Sequence, residues 1–183
     1  FEALLAFFME SIFLGLWIFG WGRIPEKVHV MCIWLVHIGT VLSAYFILAA
    51  NSFMQNPVGF SYDATKNRAV LTDFVAVLMN KVQLVTFPHV LAAAYMTGGA
   101  MVMGVALWKL MKGRVAEDRN MYRKGARVGA WVTLVASVAI LITGDVQGKI
   151  MTEVQPMKMA AAEALYETED SCAPFSVFTI GTP

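Results

Sequence analysis

The sequence has 183 residues, of which 58% are hydrophobic and only 15% are charged, and its mean hydropathy is +0.61. Soluble domains are nearer half apolar and a quarter charged, so this composition favours a chain whose outer surface faces lipid. The formal net charge of +1 gives no reason to expect a nucleic-acid partner. The sequence also lacks phosphate-binding loops, zinc-ligand spacings and nucleophile elbows, so soluble enzyme classes have little support.

Four apolar runs predict an all-α fold, a polytopic membrane helix bundle with about four transmembrane helices. They cover residues 1–21, 28–53, 82–111 and 128–144. The first three are long enough to cross a hydrocarbon core of roughly 30 Å, and the fourth is near the lower limit of about 17 residues. We therefore expect a transmembrane region over residues 1–144 and a polar segment over residues 145–183. Because the first residue already lies in an apolar run, we also expect a piece of a longer protein.

The connections between the apolar runs differ in charge, and this difference predicts the orientation. The connection at residues 112–127 and the end of the run before it are basic, with the residues Lys109, Lys112, Arg114, Arg119, Arg123, Lys124 and Arg127. Cytoplasmic loops carry an excess of Lys and Arg, so this loop should be cytoplasmic. The loop at residues 54–81 and the segment 145–183 then lie outside. Helical spacing predicts a surface helix over residues 70–80 and another helix near residues 157–167.

Two carboxylates in the first run are candidates for proton transfer or metal binding. Glu10 lies about midway along the run, where a lone carboxylate costs at least ~2.5 kcal/mol unless it faces protein or water. Glu2 lies eight residues earlier, about 12 Å nearer the outer face. The two acids suit a proton relay, or a heme ligand followed by a proton donor. The alternative is a carboxylate that only hydrogen-bonds between helices.

Histidines and a serine supply further intramembrane candidates. His89 follows Pro88 near the outer end of the third run, in a stretch rich in Ala and Gly that would let a flat macrocycle approach closely. It is either an axial heme-iron ligand or a histidine that is bonded across helices. His37 lies mid-span, and a hydrogen-bonded core histidine is the favoured interpretation. Ser43 can hydrogen-bond across helices or hold water near the acids.

Three segments of the chain, in order and with matching spacings, resemble subunit I of the cytochrome bd quinol oxidases. They are EALLAFFMES at residues 2–11, continuing to GW at 20–21; LSA at 42–44 with ILAAN at 47–51 and MQNP at 54–57; and QPMKMAAAEALYET at 155–168, which is similar to the start of the family's quinol loop. The similarity covers essentially the whole chain. A generic membrane bundle would not reproduce all three segments.

The resemblance implies a family that oxidises quinol at the outer face and reduces dioxygen to water without copper. The implied cofactors are a low-spin heme b, a high-spin heme b and heme d. His89 matches the histidine ligand of the low-spin heme iron, and Glu2 matches the acid that ligates or abuts heme d. Glu10 matches an acid of the path that brings protons from the cytoplasm, and Ser43 matches its neighbour on that path.

The resemblance also assigns Lys158 and Glu163 to quinol oxidation, whereas an exposed pair of this kind, taken from the residues alone, is usually a solvated face of little energetic value. The implied partners are a second oxidase subunit, small single-span subunits, dioxygen, and menaquinol or ubiquinol in the bacterial cytoplasmic membrane. Further heme ligands are expected on spans outside this sequence. Two rival functions remain open, namely a b-type electron-transfer cytochrome and a non-catalytic membrane anchor.

Overall fold

The computed structural model describes residues 6–113, 118–165 and 167. Within these residues the elements follow in the order α1 Phe8–Phe19, α2 Glu26–Gln55, β1 Phe60–Asp63, β2 Arg68–Leu71, α3 Phe74–Leu78, α4 Lys81–Met111, α5 Arg119–Val154 and α6 Pro156–Ala162. Long helices dominate, and one short β-hairpin lies in the connection between α2 and α4. The predicted all-α membrane bundle is therefore confirmed.

Helices α2, α4 and α5 are long and apolar enough to cross a membrane, judged by length and composition. At 1.5 Å per residue, the 36 residues of α5 extend about 54 Å, which exceeds a hydrocarbon core of about 30 Å. Helix α5 therefore continues through the predicted boundary at residue 144. Helix α1 is a shorter apolar helix of 12 residues, and residues 1–5 of the first run lie outside the described part of the chain.

Helices α4 and α5 pack backbone against backbone. A Cβ atom placed on Gly129 would lie 2.7 Å from both the Gly99 carbonyl oxygen and the Met103 backbone nitrogen. A Cβ atom placed on Gly99 would lie 2.8 Å from Thr133 Oγ1. Small residues allow membrane helices to approach this closely, because no side chain separates the two backbones. The glycines therefore fix the position of α5 against α4.

Polar groups join α2 to α4 near the end of α2. The Ser52 hydroxyl donates to Gln83 Oε1 at 3.3 Å, and Gln83 Nε2 donates to the Tyr45 carbonyl oxygen at 2.9 Å. Asn80 Nδ2 donates to the carbonyl oxygens of Ser52 and Asn56. Ser52, Asn80 and Gln83 are all buried. Since buried polar groups are costly when unpaired, this network specifies where the two helices meet.

The connection between α2 and α4 departs from the sequence prediction. Residues 70–71 belong to β2, which pairs antiparallel with β1 and places Leu71 opposite Phe60. Gly59 has a φ of +67°, and a Cβ there would lie 2.4 Å from the Asp73 carbonyl oxygen, so the chain turns here because only glycine fits. The predicted surface helix is therefore wrong for residues 70–73 and confirmed for α3.

Candidate functional site

His89 lies on the third turn of α4 and faces α5. Its Nδ1 is 3.0 Å from Thr143 Oγ1. The Thr143 hydroxyl donates its own hydrogen to the Ala139 carbonyl oxygen at 2.7 Å, so it accepts a hydrogen bond from the imidazole. This network assigns the proton of a neutral His89 to Nδ1 and the lone pair to Nε2.

The Nε2 atom of His89 is available to a metal. Within the described residues no group hydrogen-bonds to it. The ring edge lies against Gly144 of α5, where a Cβ would be 3.4 Å from His89 Cε1. In the described part of the chain there is no cluster of three His, Cys, Asp or Glu residues that could hold a metal ion. A single histidine with a fixed tautomer fits a metal that a macrocycle already holds, as in heme.

Glu10 lies where α1 contacts α2. Its backbone nitrogen is 3.4 Å from the position of a Cβ on Gly39, and the residue is half-buried. Ser43 is also half-buried and lies one turn beyond Gly39 on the same face of α2, about 6 Å further along the axis. The structure therefore places the Glu10 backbone at the α1–α2 contact and Ser43 about one turn further along α2. Glu2 lies outside the described residues.

The other two histidines are hydrogen-bonded to neighbouring helices. His37 Nε2 lies 2.9 Å from the Tyr95 hydroxyl on α4, as expected for a histidine that is satisfied inside the bundle. His29 Nε2 lies 2.8 Å from the Trp17 carbonyl oxygen near the end of α1, and its ring also contacts Trp21. His29 therefore satisfies a carbonyl group that the end of α1 leaves without a helical partner.

A groove of about 520 Å³ lies between the end of α5 and α6. It extends from Gly144, which touches the His89 ring, to Glu163 and Leu165. Helix α6 ends at Ala162, earlier than predicted, and the Leu165 N–H closes a turn by donating to the Ala160 carbonyl oxygen at 3.0 Å. Glu163 thereby lines the groove. Lys158 is exposed on α6 and does not line it.

Three residues that sequence reasoning did not single out contribute to this region. Thr143 and Gly144 contact the His89 ring, as described above. Gln155, between α5 and α6, donates from Nε2 to the Gln55 carbonyl oxygen at 2.6 Å and so ties this junction to the end of α2. The available signals were a Thr-Gly pair at the end of an apolar run and a Gln-Pro pair, both of which are too common to be specific.

These features define a multi-pass membrane helix bundle in which one histidine is hydrogen-bonded through Nδ1 to a neighbouring helix. The comparison with protein families identifies the bundle further. Residues 1–183 match the family described as cytochrome bd terminal oxidase subunit I, and the chain belongs to this family. The resemblance found in the sequence is thus confirmed.

Known relatives are considerably longer than this chain. It is 46% identical over 182 residues to cytochrome bd ubiquinol oxidase subunit 1 of Bacillus subtilis (strain 168), covering 99% of this chain and 38% of the relative. It is 39% identical over 176 residues to cytochrome bd-II ubiquinol oxidase subunit 1 of Escherichia coli (strain K12), covering 96% of this chain and 34% of that relative. The solved bd oxidase of Geobacillus thermodenitrificans is 35% identical with a TM-score of 0.76, over 91% of this chain and 37% of that one.

Proposed function

We propose that this chain is part of the heme-bearing subunit of a terminal oxidase that oxidises quinol and reduces dioxygen to water. The observation that carries the proposal is the arrangement of His89, whose Nδ1 is bonded to Thr143 and whose Nε2 is open, beside a groove that reaches Glu163. Family membership supports it, as do the names of two relatives, which are ubiquinol oxidase subunits. The electron donor is a quinol, either menaquinol or ubiquinol.

The proposed cofactors are a low-spin heme b, a high-spin heme b and heme d. When bound, these groups would supply electron transfer and the reduction of dioxygen. Nε2 of His89 holds the iron of the low-spin heme b, and Glu2 ligates or contacts heme d. The longer relatives leave room for the remaining axial ligands on spans that this sequence does not contain.

Glu10 and Ser43 form the proposed proton path from the cytoplasm. A carboxylate at this depth is costly unless it faces protein or water, and the backbone of Glu10 lies at the contact between α1 and α2. The Glu10 carboxylate takes up and releases a proton, and the Ser43 hydroxyl both donates and accepts, so it can orient a water molecule between helices.

Quinol is oxidised in the groove between α5 and α6. The Glu163 carboxylate lines this groove and accepts a proton from the quinol hydroxyl, since oxidation releases protons as well as electrons. The other end of the groove reaches Gly144, beside the His89 ring, and this proximity supports electron transfer from a quinol in the groove to the proposed low-spin heme. Lys158, on the exposed side of α6, acts at longer range through the attraction of its ammonium group for negative charge on the quinol oxygen.

The protein is a multi-pass membrane protein, and we propose the bacterial cytoplasmic (inner) membrane as its location. The basic loop at residues 112–127 then faces the cytoplasm, and residues 54–81 and 145–183 face outward. The proposed partners are a second oxidase subunit and small single-span subunits. Large apolar side chains of the spans, such as Trp34 and Trp131 at 62% and 66% exposure, leave surface for these subunits and for lipid.

Reduced-minus-oxidised optical spectra of the intact oxidase test this proposal, with His89→Ala as the variant and His37→Ala as the matched control. We expect b-type bands and a far-red heme d band in the unmodified protein. His89→Ala should lose the low-spin heme b band, and His37→Ala should keep it. An unchanged low-spin band in His89→Ala would contradict the ligand assignment. A spectrum with b-type bands alone would favour an electron-transfer cytochrome, and one without heme bands would favour a membrane anchor.

A further inference from the structure

We propose that Thr143 is a positioning residue that sets the tautomer of His89 and the electron-donating strength of its Nε2. This inference rests on the proposed role of His89 as a heme ligand. The carrying observation is a chain of two hydrogen bonds, from His89 Nδ1 to Thr143 Oγ1 at 3.0 Å and from Thr143 Oγ1 to the Ala139 carbonyl oxygen at 2.7 Å.

The direction of these two hydrogen bonds follows from the single hydrogen of the Thr143 hydroxyl group. A hydroxyl group has one hydrogen, and the backbone of α5 takes it, because Ala139 O is at 2.7 Å and Ile140 O is at 3.4 Å. The oxygen can therefore only accept from the imidazole. The hydrogen bond to Ala139 O also selects one of the two χ1 rotamers that threonine adopts in a helix, and this rotamer places the oxygen at the ring. The flipped tautomer, with its proton on Nε2, would lose the bond at Nδ1.

Gly144, the next residue of α5, lies beside the ring. A Cβ at this position would lie 3.4 Å from Cε1 and 3.8 Å from Nδ1 of His89, which is ordinary van der Waals contact. The α5 backbone therefore runs along the edge of the ring, and Thr143 is the residue of this segment that fixes the tautomer of His89.

This hydrogen bond would change how strongly His89 donates electrons to a bound iron. A hydrogen bond donated by the outer imidazole nitrogen raises the basicity of the nitrogen that faces the metal. A more basic axial ligand stabilises ferric over ferrous heme and so lowers its reduction potential. Loss of such an outer partner typically costs about 10- to 100-fold in metal affinity or activity. Without the Thr143 hydroxyl, the proposed low-spin heme should therefore be easier to reduce.

The experiment is a potentiometric titration of the low-spin heme b band in the purified intact oxidase. Thr143→Val replaces the hydroxyl with a methyl group of similar size, and Thr143→Ser keeps the hydroxyl. We expect the valine variant to shift the reduction equilibrium toward ferrous heme by about tenfold, equal to ~59 mV for a one-electron couple. The serine variant should stay close to the unmodified protein.

Thr97→Val is the matched control, because Thr97 is exposed on α4 and bonds only the Ala93 carbonyl oxygen of its own helix. It should leave the potential unchanged. A valine variant with full heme content and an unshifted potential would overturn the inference, as would equal shifts in Thr143→Val and Thr143→Ser. If the valine variant does not accumulate, we expect Thr143→Ala, which also lacks the hydroxyl group, to show the same shift toward ferrous heme.

The outcomes separate this inference from the proposed function. Retention of the low-spin band by His89→Ala refutes the ligand assignment, and the role of Thr143 fails with it. Loss of that band in His89→Ala, together with an unshifted potential in Thr143→Val, refutes the role of Thr143 alone.

Discussion

The two helix pairs of the bundle, α1–α2 and α4–α5, approach each other to different degrees. At α4–α5, a Cβ on Gly129 would meet backbone atoms at 2.7 Å. At α1–α2, a Cβ on Gly39 would meet its nearest neighbours, Ala6 O and Met9 Cε, at 3.3 Å. The first contact has no space for a side chain, whereas the second would accept a methyl group if its neighbours moved by a few tenths of an ångström.

The difference corresponds to the roles that we propose for the two pairs. An axial ligand must be held within about 0.5 Å of its working geometry, and the α4–α5 pair holds His89 through Thr143 and Gly144. A proton-transferring carboxylate must instead change hydrogen-bond partners as it gains and loses a proton. The looser α1–α2 contact, which carries Glu10, leaves more freedom for such changes. The following experiments test this comparison.

The largest expected effect is a loss of stability when the tight α4–α5 contact is disturbed. Gly129→Ala places a Cβ against backbone atoms of α4 that cannot rotate away, so the helices must separate. Overpacking of this kind typically costs about 1–3 kcal/mol, and contact with backbone favours the upper end. We expect a lower thermal unfolding midpoint of the detergent-solubilised oxidase, or a lower yield of folded protein.

Substitutions at two other glycines are compared with Gly129→Ala in the same unfolding measurement. Gly98→Ala adds a methyl group where nothing lies within 4 Å and should leave the unfolding midpoint nearly unchanged. Gly39→Ala should give an intermediate loss, because its neighbours at 3.3 Å include the flexible end of Met9. If Gly39→Ala destabilises as much as Gly129→Ala, the two pairs do not differ in the way proposed.

The second expected effect is a loss of turnover, and it tests Glu10 in the looser α1–α2 pair. Glu10→Gln keeps the size and the hydrogen-bonding capacity of the side chain but removes its titratable proton. General acid–base groups contribute about 10²- to 10⁴-fold, so we expect quinol oxidase turnover to fall by about 10²-fold while heme content stays normal. Glu26→Gln, at the start of α2, is the control and should have little effect. Unchanged turnover in Glu10→Gln would leave only a structural hydrogen-bonding role.

The third effect concerns the groove between the end of α5 and α6. Glu163→Ala should reduce quinol-driven oxygen consumption by about tenfold, since a general base is lost, and should spare oxygen consumption driven by an artificial donor that reduces the hemes directly. Lys158→Ala should follow the same pattern more weakly, because Lys158 does not line the groove.

Glu153→Ala is the control for these two variants, because Glu153 pairs with Lys81 on the exposed surface at 3.3 Å and such pairs contribute little. It should leave the rates with both donors near normal. Equal losses with both donors in Glu163→Ala would place the defect at the hemes or in folding, and the quinol site would have to be withdrawn.

The long spans could be predicted from sequence, whereas the short elements between them could not. A run of about 20 apolar residues has to be helical in lipid, so α2, α4 and α5 followed directly from the sequence. Val70, Leu71 and Phe74 have a spacing that fits a helix, but only Phe74 is helical. Val70 and Leu71 lie in strand β2, because Gly59 and Asn67 adopt positive φ and favour a hairpin. Helix α5 runs past Gly144 because no proline interrupts it before Pro156.

For the candidate site, the sequence suggested individual residues but not the geometry that surrounds them. The depth of His89 and the small residues around it identified a candidate ligand. Its partner Thr143 is 54 residues away, and the register that joins them depends on the contact between Gly99 and Gly129, which no local pattern reveals. That Lys158 and Glu163 point in different directions could be inferred from the sequence, because side chains five residues apart on a helix are separated by about 140°.

The smallest expected effect lies in the β-hairpin that connects the two helix pairs, and it tests whether they depend on this link. Asp63 Oδ1 accepts hydrogen bonds from the Thr65 hydroxyl at 2.5 Å, the Thr65 N–H at 3.0 Å and the Lys66 N–H at 3.3 Å. The Thr65 hydroxyl, followed by these backbone groups, lowers the pKa of the Asp63 carboxyl below its ordinary value of 3.8. A lowered pKa in the folded state means stabilisation that is present at higher pH and is lost as the pH falls through that pKa.

We therefore expect pepsin to cleave the hairpin faster as the pH falls below 3.8, with only a modest change because Asp63 lies in a surface hairpin and is partly exposed to solvent. Asp63→Asn keeps the accepting oxygen without a titrating proton, so its cleavage should show no such step relative to the unmodified protein. The nicked protein should stay assembled, because Ser52, Gln83 and Asn80 join α2 to α4 independently of the hairpin. Separation of the fragments after cleavage in detergent would show that the hairpin, rather than this buried network, holds the two pairs together.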